Sequence, residues 1–203
     1  MTRNAASPGT TDAENARVAR NAKRLLRDAK LLSDHDGHAS AFALAVLGLE
    51  EIGKVILRIW GLSDHAFSHP HKQLAVSSLL LMDAMFRETQ RQAGRGMVLP
   101  SKPRRFSGAA LGKAVMESEA GRFSQGVDAK MVEKIKQFAL YYDGAGIHPD
   151  RFTRAHVEAI FEMCSRASSA FENDETVQGA KILFLAKKDV LLSKGRRTKQ
   201  RRA

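Results

Sequence analysis

Three charged residues stand where a helix-length run is otherwise apolar: "HASAFALAVLGLEEIGKVILRIW" carries Glu50, Glu51 and Lys54 near its centre. Burying an ionised group without a partner is costly, so charges kept in such a place need a reason. Lys54 lies three residues after Glu51 and four after Glu50, and either carboxylate can pair with it on a helix surface. Because the flanks are apolar on every side, at least one carboxylate must point into the protein or into a pocket. There it is either half of a structural pair or a functional group.

A second cluster is "FSHPHK". Ser68 followed by Pro70 reads as a helix N-cap with proline in the first turn. His69 and Lys72 then stand three apart at a helix start, beside unpaired backbone N–H groups and the positive end of the dipole. A phosphate held by Lys72 and the helix start, with His69 as acid or base, would form half of a phosphodiester-cleaving or nucleotide-binding site. The bland alternative is an exposed cap that performs no chemistry.

Other chemistries find less support. No His-Glu-x-x-His helix or repeated Glu-x-x-His pair occurs, and His69 and His71 diverge by roughly 200° on a helix, so no metal and no cofactor is expected. An arginine followed after four to six residues by a histidine, the signature of one group of helical ribonucleases, occurs as Arg58 to His65 and as Arg151 to His156. Chance alone predicts about two such matches in a chain this rich in arginine and histidine. An apolar residue, Ile59 or Phe152, also follows each arginine where that group usually has a polar one. Cys164 has no activating partner nearby in sequence and reads as a small core hydrophobe.

The elements that must position these residues are helical. Val18, Ala22, Leu25, Ala29 and Leu32 form an amphipathic stripe whose opposite face is basic. "SDHDGH" supplies a turn, with Gly37 suited to the positive φ that ends a helix. A second helix, from about His38 to Trp60, is apolar all round and should be the most buried. A third begins at Ser68 and carries Leu74, Leu79, Leu80, Met82 and Phe86. Residues 94–126 shift to Gly, Pro and basic residues, a long basic loop with room for one short helix at "AALGKAVMESEA". Met131, Ile135, Phe138 and Tyr142 mark a fourth helix. A fifth, capped by Thr153, carries Val157, Ile160, Phe161, Cys164, Ala167 and Phe171. "ETVQGAKILFLAKKDVLL" can form the last, with Gly179 weakening its first turn. The expectation is an all-α bundle of about five to six helices in one domain, residues 13–193, between a disordered N-terminus (1–12) and a basic tail (194–203).

Composition sets the surroundings. The formal net charge is +11, and the C-terminal "SKGRRTKQRRA" is basic without an offsetting acid, a solvated tail or a nucleic-acid arm. One cysteine excludes an internal disulfide and fits a reducing compartment. No segment is long and apolar enough to span a bilayer, and the N-terminal residues lack a signal-peptide core, so a cytoplasmic location is expected.

Taken as a set, "SAFALAVLGLEEIGKVIL", "FSHPHK" and "IKQFALYYDGAGIHPDRFT" resemble the abortive-infection V (AbiV) family of bacterial phage-defence proteins, of the HEPN superfamily of α-helical nucleases and nucleotide-binding proteins. The resemblance covers roughly residues 15 to 172. It carries over Glu50, Glu51 and Lys54, then His69 and Lys72, then Leu140, Tyr141 and Asp143. It implies a helical homodimer acting on RNA or the translation apparatus, and, in superfamily members that are nucleases, metal-independent cleavage by a histidine and a basic residue. Glu50, Glu51, Lys54, His69 and Lys72 would then be catalytic, Tyr141 and Asp143 would close the rim, and Arg95, Lys102, Arg104 and Arg105 would bind RNA. RNA or the ribosome, and a phage-encoded activator, are the partners this reading implies. The alternative is a non-catalytic module that inhibits translation by binding.

Overall fold

The computed structural model describes residues 8–95, 108–141 and 148–200. Among the described residues eight α-helices follow in chain order: α1 (Pro8–Asp34), α2 (His38–Ile59), α3 (His69–Arg95), α4 (Gly108–Glu117), α5 (Glu119–Asp128), α6 (Met131–Leu140), α7 (Arg154–Ala170) and α8 (Asp174–Gln200). Short 3-10 turns occupy Asp64–Ala66 and Pro149–Arg151, and no strand occurs among the described residues. The fold is all-α, with more helices than the five or six expected. The surplus comes from the segment read as a basic loop, which holds two helices where one was foreseen. Ser118 divides them: its Oγ accepts the Gly121 N–H at 3.2 Å and so caps α5. A side chain at Gly121 would lie 2.4 Å from the carbonyl oxygens of Val115 and Met116, so the fold-back from α4 into α5 requires glycine. At the termini, α1 begins at Pro8 and α8 reaches Gln200, so helix extends into both segments that composition marks as polar.

The chain divides into two compact units. The first takes the chain up to Gln73 together with Val132–Cys164, and the second takes Leu74–Met131 with the residues from Ser165 onward.

In the first unit α1 and α2 form a helical hairpin. Val18, Ala22, Leu25 and Ala29 are buried, as their spacing requires, whereas Leu32, the last residue of the expected stripe, is exposed beside the hairpin turn; Gly48 of α2 lets Leu26 and the Ala22 carbonyl approach closely. The hairpin turn corrects the expectation for Gly37. Asp36 takes the left-handed conformation (φ 61°), while Gly37 has φ −78°. The Gly37 N–H reaches back to the Leu32 carbonyl at 2.8 Å and the Asp36 N–H to Ser33 at 3.4 Å, the two bonds that close a helix C-terminus around one left-handed residue. Aspartate tolerates that conformation better than most side chains. On α2, burial runs through Ala41, Phe42, Ala43, Ala45, Val46, Gly48, Leu49 and Glu50, so this helix is enclosed on nearly every side. Phe42 meets Phe152, ring centroids 5.4 Å apart, which seats the approach to α7.

That approach ends in a side-chain cap supplied by His156. The His156 Nδ1 accepts the Thr153 N–H at 3.0 Å while the His156 N–H bonds the Thr153 carbonyl at 3.0 Å. His156 thus serves α7 as a capping group, which explains its position without invoking the arginine-histidine spacing. Cys164 is buried further along α7, and desolvation pushes its thiol up to about 12. Native protein at pH 8 should therefore resist alkylation by iodoacetamide, whereas protein unfolded in urea should react at the ordinary thiol rate; rapid labelling of the folded form would contradict the burial.

In the second unit, Leu74, Val76, Leu79 and Leu80 of α3, Val115 of α4, Val127 of α5 and Val177, Ala180 and Phe184 of α8 are buried. Gly179, expected to weaken the first turn, lies inside α8; a Cβ added there would lie 2.5 Å from the Met82 methyl group, the flexible end of a side chain that can move aside. Lys187 donates to Asp128 at 2.9 Å and to Ser124 at 3.2 Å, and Arg166 pairs with Glu119 at 2.8 Å.

Candidate functional site

The candidate site lies within the first unit, where α2, the start of α3 and α6 converge on one carboxylate. Glu50 is 2% exposed, the deeper of the two adjacent glutamates. Its Oε2 lies 2.6 Å from His69 Nδ1, and its Oε1 accepts from Gln73 Nε2 at 2.7 Å and from Lys136 Nζ at 2.8 Å. Glu51, one residue on and rotated by about 100°, instead takes the Lys54 ammonium. The sequence left open which carboxylate pairs with Lys54; the geometry assigns Glu51 to the lysine and Glu50 to the histidine.

α3 begins as the sequence predicts. The Ser68 carbonyl accepts the N–H groups of His71 and Lys72, Pro70 falls in the first turn, and the Ser68 hydroxyl bonds His71 Nδ1 at 2.7 Å. His71 is buried with its ring 5.5 Å from that of Phe67, while the His69 side chain is 57% exposed, so the two histidines do diverge. Lys72 is half-buried on the same first turn.

What seats this turn against α2 is a glycine. A Cβ on Gly53 would lie 2.3 Å from the Lys72 carbonyl oxygen and 2.8 Å from its carbonyl carbon. Only hydrogen at that position lets the backbone of α3 rest on α2 closely enough for His69 to reach Glu50. The Glu-Glu-x-Gly-Lys block is therefore one packing unit: the glycine admits the incoming helix and the first glutamate receives its histidine.

α6 supplies what the sequence did not reveal. Met131, Ile135, Phe138 and Tyr142 are the apolar repeat that marks this helix in the sequence. Met131 is exposed, Ile135 and Phe138 are half-buried, and Tyr142 lies outside the described residues. The buried positions are Val132 and Lys136, one helical step around, with Lys136 only 4% exposed. Its ammonium stands between two carboxylates, 2.8 Å from Glu50 and 2.8 Å from Glu133. Gln73 spans the same pair, donating to Glu133 at 3.1 Å as well as to Glu50. Burial by itself would lower the Lys136 pKa, but the hydrogen bonds and charges of Glu133 and Glu50 together outweigh it and raise the value above that of an ordinary lysine. The stabilisation from this ammonium is complete below the ordinary lysine value of about 10.4 and is lost as pH rises through the higher folded value.

These contacts fix the chemistry available to His69. An ionised Glu50 can only accept, so the Nδ1 that faces it must carry the proton. Nε2 is then the lone-pair nitrogen of the neutral ring, on a side chain that is more than half exposed. A buried carboxylate thus holds an accessible imidazole in the tautomer of a general base. Among the described residues, no three of His, Cys, Asp and Glu are grouped so as to hold a metal ion.

The remaining sequence candidates fall elsewhere. Tyr141 follows the last residue of α6, its N–H on the Gln137 carbonyl at 2.8 Å and the residue 74% exposed; Leu140 is exposed at the helix end. Arg95 is the final residue of α3. Asp143, Lys102, Arg104 and Arg105 lie outside the described residues. The residues that sequence reasoning missed are Gln73, Glu133 and Lys136. Their only signal is the Glu-x-x-Lys spacing of α6, which on a charged helix reads as an ordinary surface pair.

An all-α chain with a histidine held by a central-helix carboxylate belongs, on comparison with known families, to the HEPN type of helical protein: residues 15–147 match the HEPN_AbiV family model, described as AbiV. The chain is a member of the AbiV family of abortive-infection proteins. The match takes in Glu50, Gly53, Lys54, His69, Gln73, Glu133 and Lys136, and it ends before Arg151 and His156. No curated protein sequence and no solved structure matches the chain.

Proposed function

We propose that this AbiV-family protein is a phage-defence effector that acts on RNA in the cytoplasm as a metal-independent endoribonuclease. The observation that carries this reading is the His69–Glu50 contact, which leaves Nε2 of an exposed imidazole as the available base. In the reaction, Nε2 takes the proton of a ribose 2′-hydroxyl as its oxygen attacks the adjacent phosphorus. The bond to the 5′-oxygen breaks, leaving a 2′,3′-cyclic phosphate, and the departing oxygen is protonated by water or by the imidazolium. Lys72 on the α3 first turn and Lys54 on α2 supply positive charge for the phosphorane. A homodimer, and release by a phage-encoded activator, belong to the same proposal.

The decisive test compares wild-type protein with His69→Ala on total RNA, with and without phage-infected cell extract. Wild type should produce cyclic-phosphate ends, and His69→Ala should reduce their formation by about 100-fold or more, the usual contribution of a general base. Equal cleavage by both proteins would end the assignment of His69. The net charge of +11 favours a second reading, in which the protein binds RNA or the ribosome and silences translation without cutting. There, His69→Ala would leave toxicity intact and no cyclic ends would form.

A further inference from the structure

The face of α1 turned away from its core is a continuous cationic stripe. Arg17, Arg20, Lys23, Arg24, Arg27 and Lys30 fall within an arc of about 140° at the usual helical turn, directly opposite the arc of Val18, Ala22, Leu25 and Ala29. All six are exposed. Over this stretch the one carboxylate is Asp28, at the edge of the arc, paired with Arg24 at 3.1 Å and Arg27 at 3.2 Å. Lys30 pairs with Asp34 at 3.3 Å. Arg17, Arg20 and Lys23 have no ion-pair partner among the described residues.

The stripe runs about 20 Å along the helix, enough to follow several consecutive phosphates. Like charges three and four residues apart repel and destabilise a helix by a few tenths of a kcal/mol per pair, and the pairs with Asp28 and Asp34 offset this only at Arg24, Arg27 and Lys30, so the fold does not account for Arg17, Arg20 and Lys23. A lipid surface is a poor fit, because the apolar face that would enter a bilayer is already used inside the unit.

We infer that the outer face of α1 is the surface along which the protein docks the sugar-phosphate backbone of single-stranded RNA. Arginine predominates, and its planar guanidinium suits phosphate. Contacts to phosphate set affinity and position but read no sequence, so the docking is sequence-independent and strongly salt-dependent. The inference rests on the RNA-directed reading above but not on cleavage.

The test replaces Arg17, Arg20, Arg24 and Arg27 together by glutamine, a comparable helix former, in the full-length protein. A control replaces Lys113, Arg122, Lys134 and Lys181, which lowers the charge equally from four other helices. Binding is measured over a series of salt concentrations to a 2′-O-methyl single-stranded oligoribonucleotide, which cannot be cleaved through its 2′-oxygen. The α1 variant should bind at least about tenfold more weakly, and its slope of log affinity against log salt should shrink by about 2 to 3, given roughly 0.7 per phosphate released. The control should lose far less of either. If wild type binds and the α1 variant matches it, the docking surface is elsewhere while the RNA reading stands. If wild type does not bind at all, both fail. Binding to phosphatidylserine vesicles or to polyglutamate at least as tight as to the oligonucleotide, and lost in the α1 variant, would assign the stripe to a different partner and overturn the inference.

Discussion

Replacing Lys136 by methionine should destabilise the protein by about 3–5 kcal/mol, because it leaves two carboxylates facing each other without the ammonium between them. Glu50 is the more severely affected, since it is 2% exposed and keeps only Gln73 and His69 as donors. Glu133 can relax toward solvent, being 18% exposed at its side chain. Urea denaturation gives the magnitude. A double variant, Lys136→Met with Glu50→Gln, removes one charge of each sign and should recover a substantial part of the loss. Strict additivity of the two single effects would show that the lysine and glutamate do not interact. The alkaline limb provides a second check: wild type should lose stability above about pH 10.4, and Lys136→Met should lack this contribution. The variant should also loosen His69, since the carboxylate that orients its ring is no longer held from behind.

This dependence on Lys136 marks the boundary of what the sequence could disclose. Glu50 and His69 were legible because each breaks a local pattern: a carboxylate inside an apolar helix, and a histidine just past a serine cap. Lys136 breaks none. Its helix, "MVEKIKQFAL", carries charges at three of its ten positions, and its more hydrophobic stripe of Met131, Ile135 and Phe138 is not the one that becomes most buried. Amphipathic reasoning ranks faces by hydrophobicity, whereas the structure selects the face that neutralises Glu50, a residue 86 positions away in sequence. The hairpin turn failed similarly on a smaller scale. Gly37 has the lower conformational cost, but the register of the bonds to Leu32 and Ser33 places the left-handed residue at Asp36. By contrast, the stripes of α1 and α7 could be read almost residue by residue, because each buries one apolar face with no competing charge. The division of the basic segment into α4 and α5 was also present locally, in a serine three residues before a glycine, but it was masked by the overall excess of Gly, Pro and arginine.

Substituting alanine for Gly53 should separate His69 from Glu50 more effectively than its single added methyl suggests. The new Cβ would fall 2.3 Å from the carbonyl oxygen of Lys72, and because that obstacle is backbone, no rotamer change relieves it. The first turn of α3 must therefore move away from α2. His69 is the first residue of that turn, and its 2.6 Å contact to Glu50 cannot survive a displacement of about 1 Å without lengthening beyond a strong hydrogen bond. The expected cost is about 1–3 kcal/mol in stability, as for overpacking elsewhere in a close-packed interior, together with loss of the downfield Nδ1 proton resonance of His69. Gly48, on the same helix, provides the comparison. An added Cβ there meets Leu26 side-chain atoms at 3.0 Å, and a leucine side chain can shift by the few tenths of an ångström required. Gly48→Ala should thus be nearly neutral in urea denaturation and should leave the His69 resonance in place. If the two alanine variants behaved alike, the seating of α3 on Gly53 would not be what brings the imidazole to its carboxylate.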